Sequence, residues 1–133
     1  MLFAAVGVYF LSLNEKPEPV RQYGGETFTQ KIEVQNFLQT DNRWKDEQLG
    51  NSGESLYGYG CTLCCTAMAL NANGFNCNPL SLNNYLSANN GYTTNGYLIW
   101  NAVTNFTNKK VKVAISNAPT FDKIDAQLKK TIL

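Results

Sequence analysis

The sequence predicts an α+β domain in which helices come first and a sheet-forming segment comes last. Three observations predict it. After Thr62 the apolar residues Leu63, Ala67, Met68 and Leu70 recur at helical spacing, with Gly74 as a stop signal. Two further stretches, from Pro79 to Leu86 and around Leu98, Ile99, Ala102, Val103 and Phe106, carry the same period. Lys110 to Ser116 alternates instead, with Val111, Val113 and Ile115 set against Lys112 and Ala114, the period of a strand.

The elements follow in order. Leu2 to Leu13 is an uncharged apolar run. It is shorter than the ~20 residues that span a bilayer, and no basic stretch precedes it. Residues 1–13 therefore read as a signal or anchor segment, and membrane contact is expected through them. Residues 14–31 hold Lys16-Pro17-Glu18-Pro19 and Gly24-Gly25, a linker composition. An anchor and then a linker suit an extracytoplasmic domain, membrane-anchored or secreted, over residues 32–133. Ile32, Val34 and Phe37-Leu38 suggest an extended segment leading to Gln39. The first helix is expected from Cys61 to about Ala72. The second opens with proline in its first turn and ends at Asn89-Asn90-Gly91, turning Leu82, Tyr85 and Leu86 inward. A third is expected from near Asn95. Pro119 breaks the chain, and Thr120 or Asp122 opens a last helix with Ile124, Leu128 and Ile132 on one face.

Composition excludes several functions. Eleven basic and ten acidic residues give a net charge near +1, which leaves no basic stripe for nucleic acid. The four cysteines lack zinc-site spacing and the chain has no histidine, so neither a metal nor another cofactor is expected. Cys61 and Cys64 do form a C-x-x-C at a helix start, the spacing of thiol oxidoreductases, but without the flanking βαβ pattern of that fold. Cys77 follows the helix closely enough to fold back towards Cys64 or Cys65 in one bridge. Asparagine and tyrosine crowd residues 71–108, as on a solvated surface or one that stacks on sugars.

Cys61 is the candidate nucleophile. It follows Gly58-Tyr59-Gly60, where glycine permits backbone angles that other residues resist. It would occupy the first turn of an apolar helix, where unpaired amides and the dipole favour an anion. A buried structural cysteine is the plainer alternative, since most free cysteines pack as small hydrophobes.

Upstream context favours the nucleophile. Gln39-Thr40-Asp41-Asn42-Arg43-Trp44, then Leu49-Gly50, then Gly60-Cys61 through Ala67-Met68 resemble the papain-fold bacterial cysteine peptidases related to the bacteriocin (double-glycine) leader peptidases. The likeness continues weakly through Asn71-Ala72-Asn73-Gly74, Pro79-Leu80 and Gly96-Tyr97-Leu98-Ile99-Trp100. It implies the helical, N-terminal portion of a papain-like fold, with little of the C-terminal sheet. It implies Cys61 as nucleophile, Gln39 as oxyanion donor, and Asp41 and Trp44 as structural residues. Cys64 and Cys65 would be packing residues, and the substrate a peptide or a peptidoglycan-type amide. The family's general base is a histidine from a late strand, and none stands among these 133 residues. Two expectations follow: an incomplete copy of a longer enzyme, or a pseudopeptidase that binds without cutting.

Overall fold

Trp44 shows how the described part of the chain closes on itself. Its side chain is almost fully buried. The indole N–H donates to the Leu38 carbonyl at 2.8 Å, and Phe37 meets the ring edge-on at 5.8 Å. In this computed structural model residues 33–132 are described; the expected apolar segment 1–13, the whole linker 14–31 and Ile32 of the extended segment lie outside them. The chain divides after Ala114, and each part is taken by itself.

Asp41 starts the turn that carries Trp44. Its carboxylate accepts from the Arg43 amide at 2.9 Å and from the Arg43 guanidinium at 3.0 and 2.7 Å. The same guanidinium lies 4.3 Å from the centre of the Trp44 ring. A two-residue salt bridge thus holds a cation on the face of a core aromatic. From there the chain runs into a hairpin-like loop. Leu56 N–H donates to Glu47 O and Tyr57 N–H to Lys45 O, both at 2.8 Å, around a single bridge between Gln48 and Ser55.

Four helices follow in the same part. They are α1 (Leu56–Tyr59), α2 (Cys61–Ala72), α3 (Pro79–Ala88) and α4 (Trp100–Phe106). The second ends as its glycine predicts: Gly74 takes φ +83°. Gly74 N–H donates to Asn71 O and Phe75 N–H to Leu70 O, which satisfies carbonyls of the last turn. Asn78 and Ser81 form a reciprocal capping box at the start of α3, with Pro79 in the first turn. α2 packs on α3, and α3 on α4. Leu49, Leu56, Leu63, Leu70, Leu82 and Leu86 are buried together with Trp44 and Val103. Each such leucine contributes about 1.5–3 kcal/mol by leaving water. Tyr85 stacks edge-on against Phe106 at 5.0 Å.

Two expected elements differ. The third helix begins at Trp100, not near Asn95, because Thr93 to Gly96 turns back on itself. Gly96 takes φ +77°, its N–H donates to Thr93 O, and Tyr92 bridges Leu98. The expected strand at Lys110–Ser116 does not form. Val111 and Val113 pack against the core while Lys112 and Ala114 stay exposed. Alternation here reports an extended segment with one side on the core. Its backbone meets no partner strand, and a strand needs one to satisfy its ladder. Among the described residues there are helices and isolated bridges only, and the sheet of the expected α+β, papain-like fold is not among them.

The part beyond Ala114 holds α5 (Phe121–Ile132). Thr120 opens it, accepting from Ile124 N–H through its carbonyl and from Lys123 N–H through its hydroxyl. Asp122 in the first turn and Lys129 and Lys130 in the last complement the helix dipole. Ile124 and Leu128 lie four apart and are both just over a third exposed.

One buried polar side chain ties the loop, α3 and the 92–98 turn together. Asn83 donates to the Gln48 carbonyl at 2.9 Å, and its carbonyl oxygen accepts from the Tyr92 hydroxyl at 2.7 Å. Burial pushes the Tyr92 phenol well above its ordinary range, so it stays a donor. Asn83→Leu strands both partners and is expected to cost about 1–3 kcal/mol, with Tyr92→Phe costing about 1. Urea denaturation of each variant measures this, and unchanged midpoints would remove the network from the fold's support.

The Asp41 turn yields a pH expectation. Hydrogen bonds from Arg43 lower its carboxyl from 3.8 to about 2. Because the folded value lies below the ordinary one, the turn's support is complete above the unfolded value and is lost as pH falls through about 2. The side-chain carbon resonance of Asp41 should titrate near that value, and Arg43→Ala should return it towards 3.8.

Candidate functional site

Two short helices meet at Gly60, and that junction sets the position of Cys61. Ser55 caps α1, accepting from the Gly58 amide. Gly60 closes it, donating to Leu56 O at 2.8 Å, and then offers its own carbonyl to Cys64 N–H as the first bond of α2. A Cβ at Gly60 would collide with the Leu56 carbonyl oxygen and would stand 2.6 Å from the Leu56 Cδ2. Only glycine lets the backbone turn from one helix into the next at this distance. Gly60 also provides no side-chain cap to α2. The amides of the first turn, Cys61 among them, are thereby left to solvent or a ligand.

Cys61 is the first residue of α2, and it is exposed. Its sulfur lies 3.9 Å from the Thr62 hydroxyl. It opens onto a cleft of about 390 Å³ whose walls include Leu49, Tyr59, Tyr92, Asn95, Tyr97, Leu98 and Trp100. That volume falls within the usual range for ligand pockets, about 300–1,000 Å³. Tyr59 and Tyr97 project from opposite elements, 63% and 70% exposed. The described lining holds no Asp, Glu, Lys or Arg. A ligand there meets one thiol, hydroxyls, an amide and aromatic faces.

The other cysteines divide by helical position. Cys64 is buried among the core leucines, and burial pushes its thiol up to about 11, with Cys65 and Cys61 adding to the rise. Cys65 is exposed. Cys77 forms no bridge to Cys64 or Cys65: all four cysteines are free, and the buried Cys77 thiol donates to Ala67 O at 3.7 Å. Burial raises that thiol too. Among the described residues no group of three or more His, Cys, Asp or Glu side chains is arranged to hold a metal.

Gln39 reaches the same junction from the other side. Its Nε2 donates to the Tyr57 carbonyl at 2.7 Å, four residues before Cys61. The carboxamide is thereby tied to α1, and Gln39 lies outside the residues that line the cleft. Its NH₂ carries two hydrogens, so one donor remains beyond that bond. Trp100 and Tyr97 are wall residues that the sequence pattern hides, because the stretch around them carries a helical period. The turn signal Thr93-Thr94-Asn95-Gly96 was present in the chain. No family model, curated protein or solved structure matches this chain.

Gly60→Ala should separate α1 from α2, at a cost of about 1–3 kcal/mol from overpacking. Thermal unfolding measures the loss, and Gly58→Ala is the control, since a Cβ there meets nothing closer than 3.8 Å. Equal loss from both would mean the junction is not close-packed at Gly60.

Proposed function

We propose that this chain is an extracytoplasmic, papain-like cysteine peptidase domain in which Cys61 attacks the carbonyl carbon of a peptide or peptidoglycan-type amide. The observation that carries the reading is the exposed thiol at the start of α2, which lines a cleft of about 390 Å³. In this chemistry the thiolate adds to the carbonyl and forms a tetrahedral oxyanion. The resemblance assigns the donor roles to the backbone amide of Cys61 and to Gln39, whose second amide hydrogen is left over from its bond to Tyr57 O. Collapse expels the amine, which must take a proton, and water then hydrolyses the thioester. Gln39 serves if its carboxamide turns from Tyr57 O towards the sulfur.

The 133 residues contain no histidine. General acid–base help contributes about 10²–10⁴-fold in such reactions. The chain as it stands is therefore expected to acylate or form adducts without appreciable peptide turnover. The same absence favours a second reading, a pseudopeptidase module that holds peptide or cell-wall polymer in this cleft. Membrane attachment belongs to the proposal through residues 1–13, which lie outside the described residues; no described helix is long and apolar enough to cross a membrane.

Reactivity separates these readings from a structural cysteine. Iodoacetamide should label Cys61 and Cys65, both exposed. A short peptidyl vinyl sulfone should favour Cys61 by about tenfold or more, because the cleft orients the electrophile. Equal labelling of the two cysteines would defeat the nucleophile assignment. Gln39→Ala should weaken a peptide-aldehyde adduct by about 10²-fold while leaving iodoacetamide labelling alone, since only the aldehyde forms an oxyanion. Robust hydrolysis lost in Cys61→Ala would identify a base other than histidine.

A further inference from the structure

We propose that Cys61 and Cys64 form a reversible disulfide that closes the site when the chain meets a hydroperoxide. The inference rests on the reading of Cys61 as the reactive thiol and adds a modification to it. Three observations carry it. Cys61 and Cys64 stand at i and i+3 in the first turn of α2, a spacing that makes them neighbours with Cβ atoms about 5–6 Å apart. That is within reach of a bridge after a shift of an ångström or so at a helix end, since bridged Cβ atoms lie about 3.5–4.5 Å apart. Cys61 is exposed and lines the cleft while Cys64 is buried, so one thiol meets an oxidant and the other is sheltered from it. All four cysteines are free, so both partners are available.

Cys65 is the competing partner. It sits at i+4 and is exposed, and the wider axial separation along the helix makes its bridge to Cys61 the more strained one. Cys64 and Cys65 are chain neighbours, about 3.8 Å apart at Cα, below the usual range for a disulfide. The neighbourhood of Cys64 supports the pairing. Its thiol is raised to about 11 by burial first, and then by the charges of Cys65 and Cys61, which places all three sulfurs in one electrostatic neighbourhood. At neutral pH Cys64 is protonated, so the oxidant reacts first elsewhere.

The steps balance. The Cys61 thiolate attacks the peroxide oxygen, giving the sulfenic acid and releasing water or an alcohol. The Cys64 sulfur then attacks the sulfenic sulfur, the S–S bond forms, and a second water leaves. Two thiols are oxidised and one hydroperoxide is reduced. With its sulfur turned towards Cys64, Cys61 no longer offers a thiolate to the cleft. Sulfenic acid that finds no thiol goes on to sulfinic acid, which thiols do not reverse.

The test treats the reduced 133-residue chain with an equivalent of hydrogen peroxide, blocks remaining thiols with iodoacetamide and maps the cysteines by mass spectrometry. The expected result is a Cys61–Cys64 bridge with Cys65 alkylated, reversed by dithiothreitol. Cys65→Ser should keep the bridge. Cys64→Ala should lose it and collect sulfinic acid at Cys61, at least tenfold above the parent chain. A bridge from Cys61 to Cys65, no bridge at all, or a bridge that survives in Cys64→Ala would each overturn the proposal. These outcomes do not depend on peptide recognition. If peptidyl electrophiles fail to favour Cys61 while the bridge still maps, the peptidase reading falls and the redox pair stands.

Discussion

A single buried carboxamide holds three separated stretches of chain in register. Asn83 lies on α3, yet its two polar atoms go to the loop before α1 and to the turn before α4. An amide side chain in a core of leucines is costly unless both ends are satisfied, and no buried side-chain polar atom among the described residues lacks a partner. Apolar packing alone would allow the loop and the turn to slide over α3. The two directed bonds fix where Leu49 and Tyr92 stand, and both residues form walls of the cleft.

The cysteines illustrate how one helix sorts chemically identical groups. One face of α2, carrying Leu63, Cys64, Ala67 and Leu70, is buried, while Cys61 and Cys65 are exposed. The buried thiols resist ionisation for a physical reason: burial among leucines disfavours the charged thiolate. What distinguishes Cys61 from Cys65 is position along the axis. Only the first is beside the unpaired amides of the opening turn and above the cleft.

The helices were legible in the sequence wherever a local signal was unambiguous. Gly74 stops α2, and Pro79 with Asn78 opens α3, because those residues act through their own backbone geometry. Cys61 at a helix start was likewise readable from the glycines before it. Misreadings arose where the pattern was right and its cause was not. Val111 and Val113 alternate because one side of an extended segment rests on the core, which a strand would also produce. Leu98 and Ile99 fit a helical period but belong to the end of a turn governed by Gly96. Gln39 was assigned through resemblance, and its bond to Tyr57 O is a contact across eighteen residues that no local rule supplies. Asn83 carried no signal, since a buried asparagine looks like a surface one until its partners are known.

The chain's two tryptophans occupy opposite circumstances. Trp44 is sealed in the core, its N–H committed to Leu38 O and its face covered by Arg43. Trp100 stands at the cleft, half-buried, with room beside it. Their emission therefore separates by origin: a blue, protected component that reports whether the domain is folded, and a redder, quenchable one that reports what enters the cleft. The molecule carries its own pair of optical gauges, one for integrity and one for occupancy.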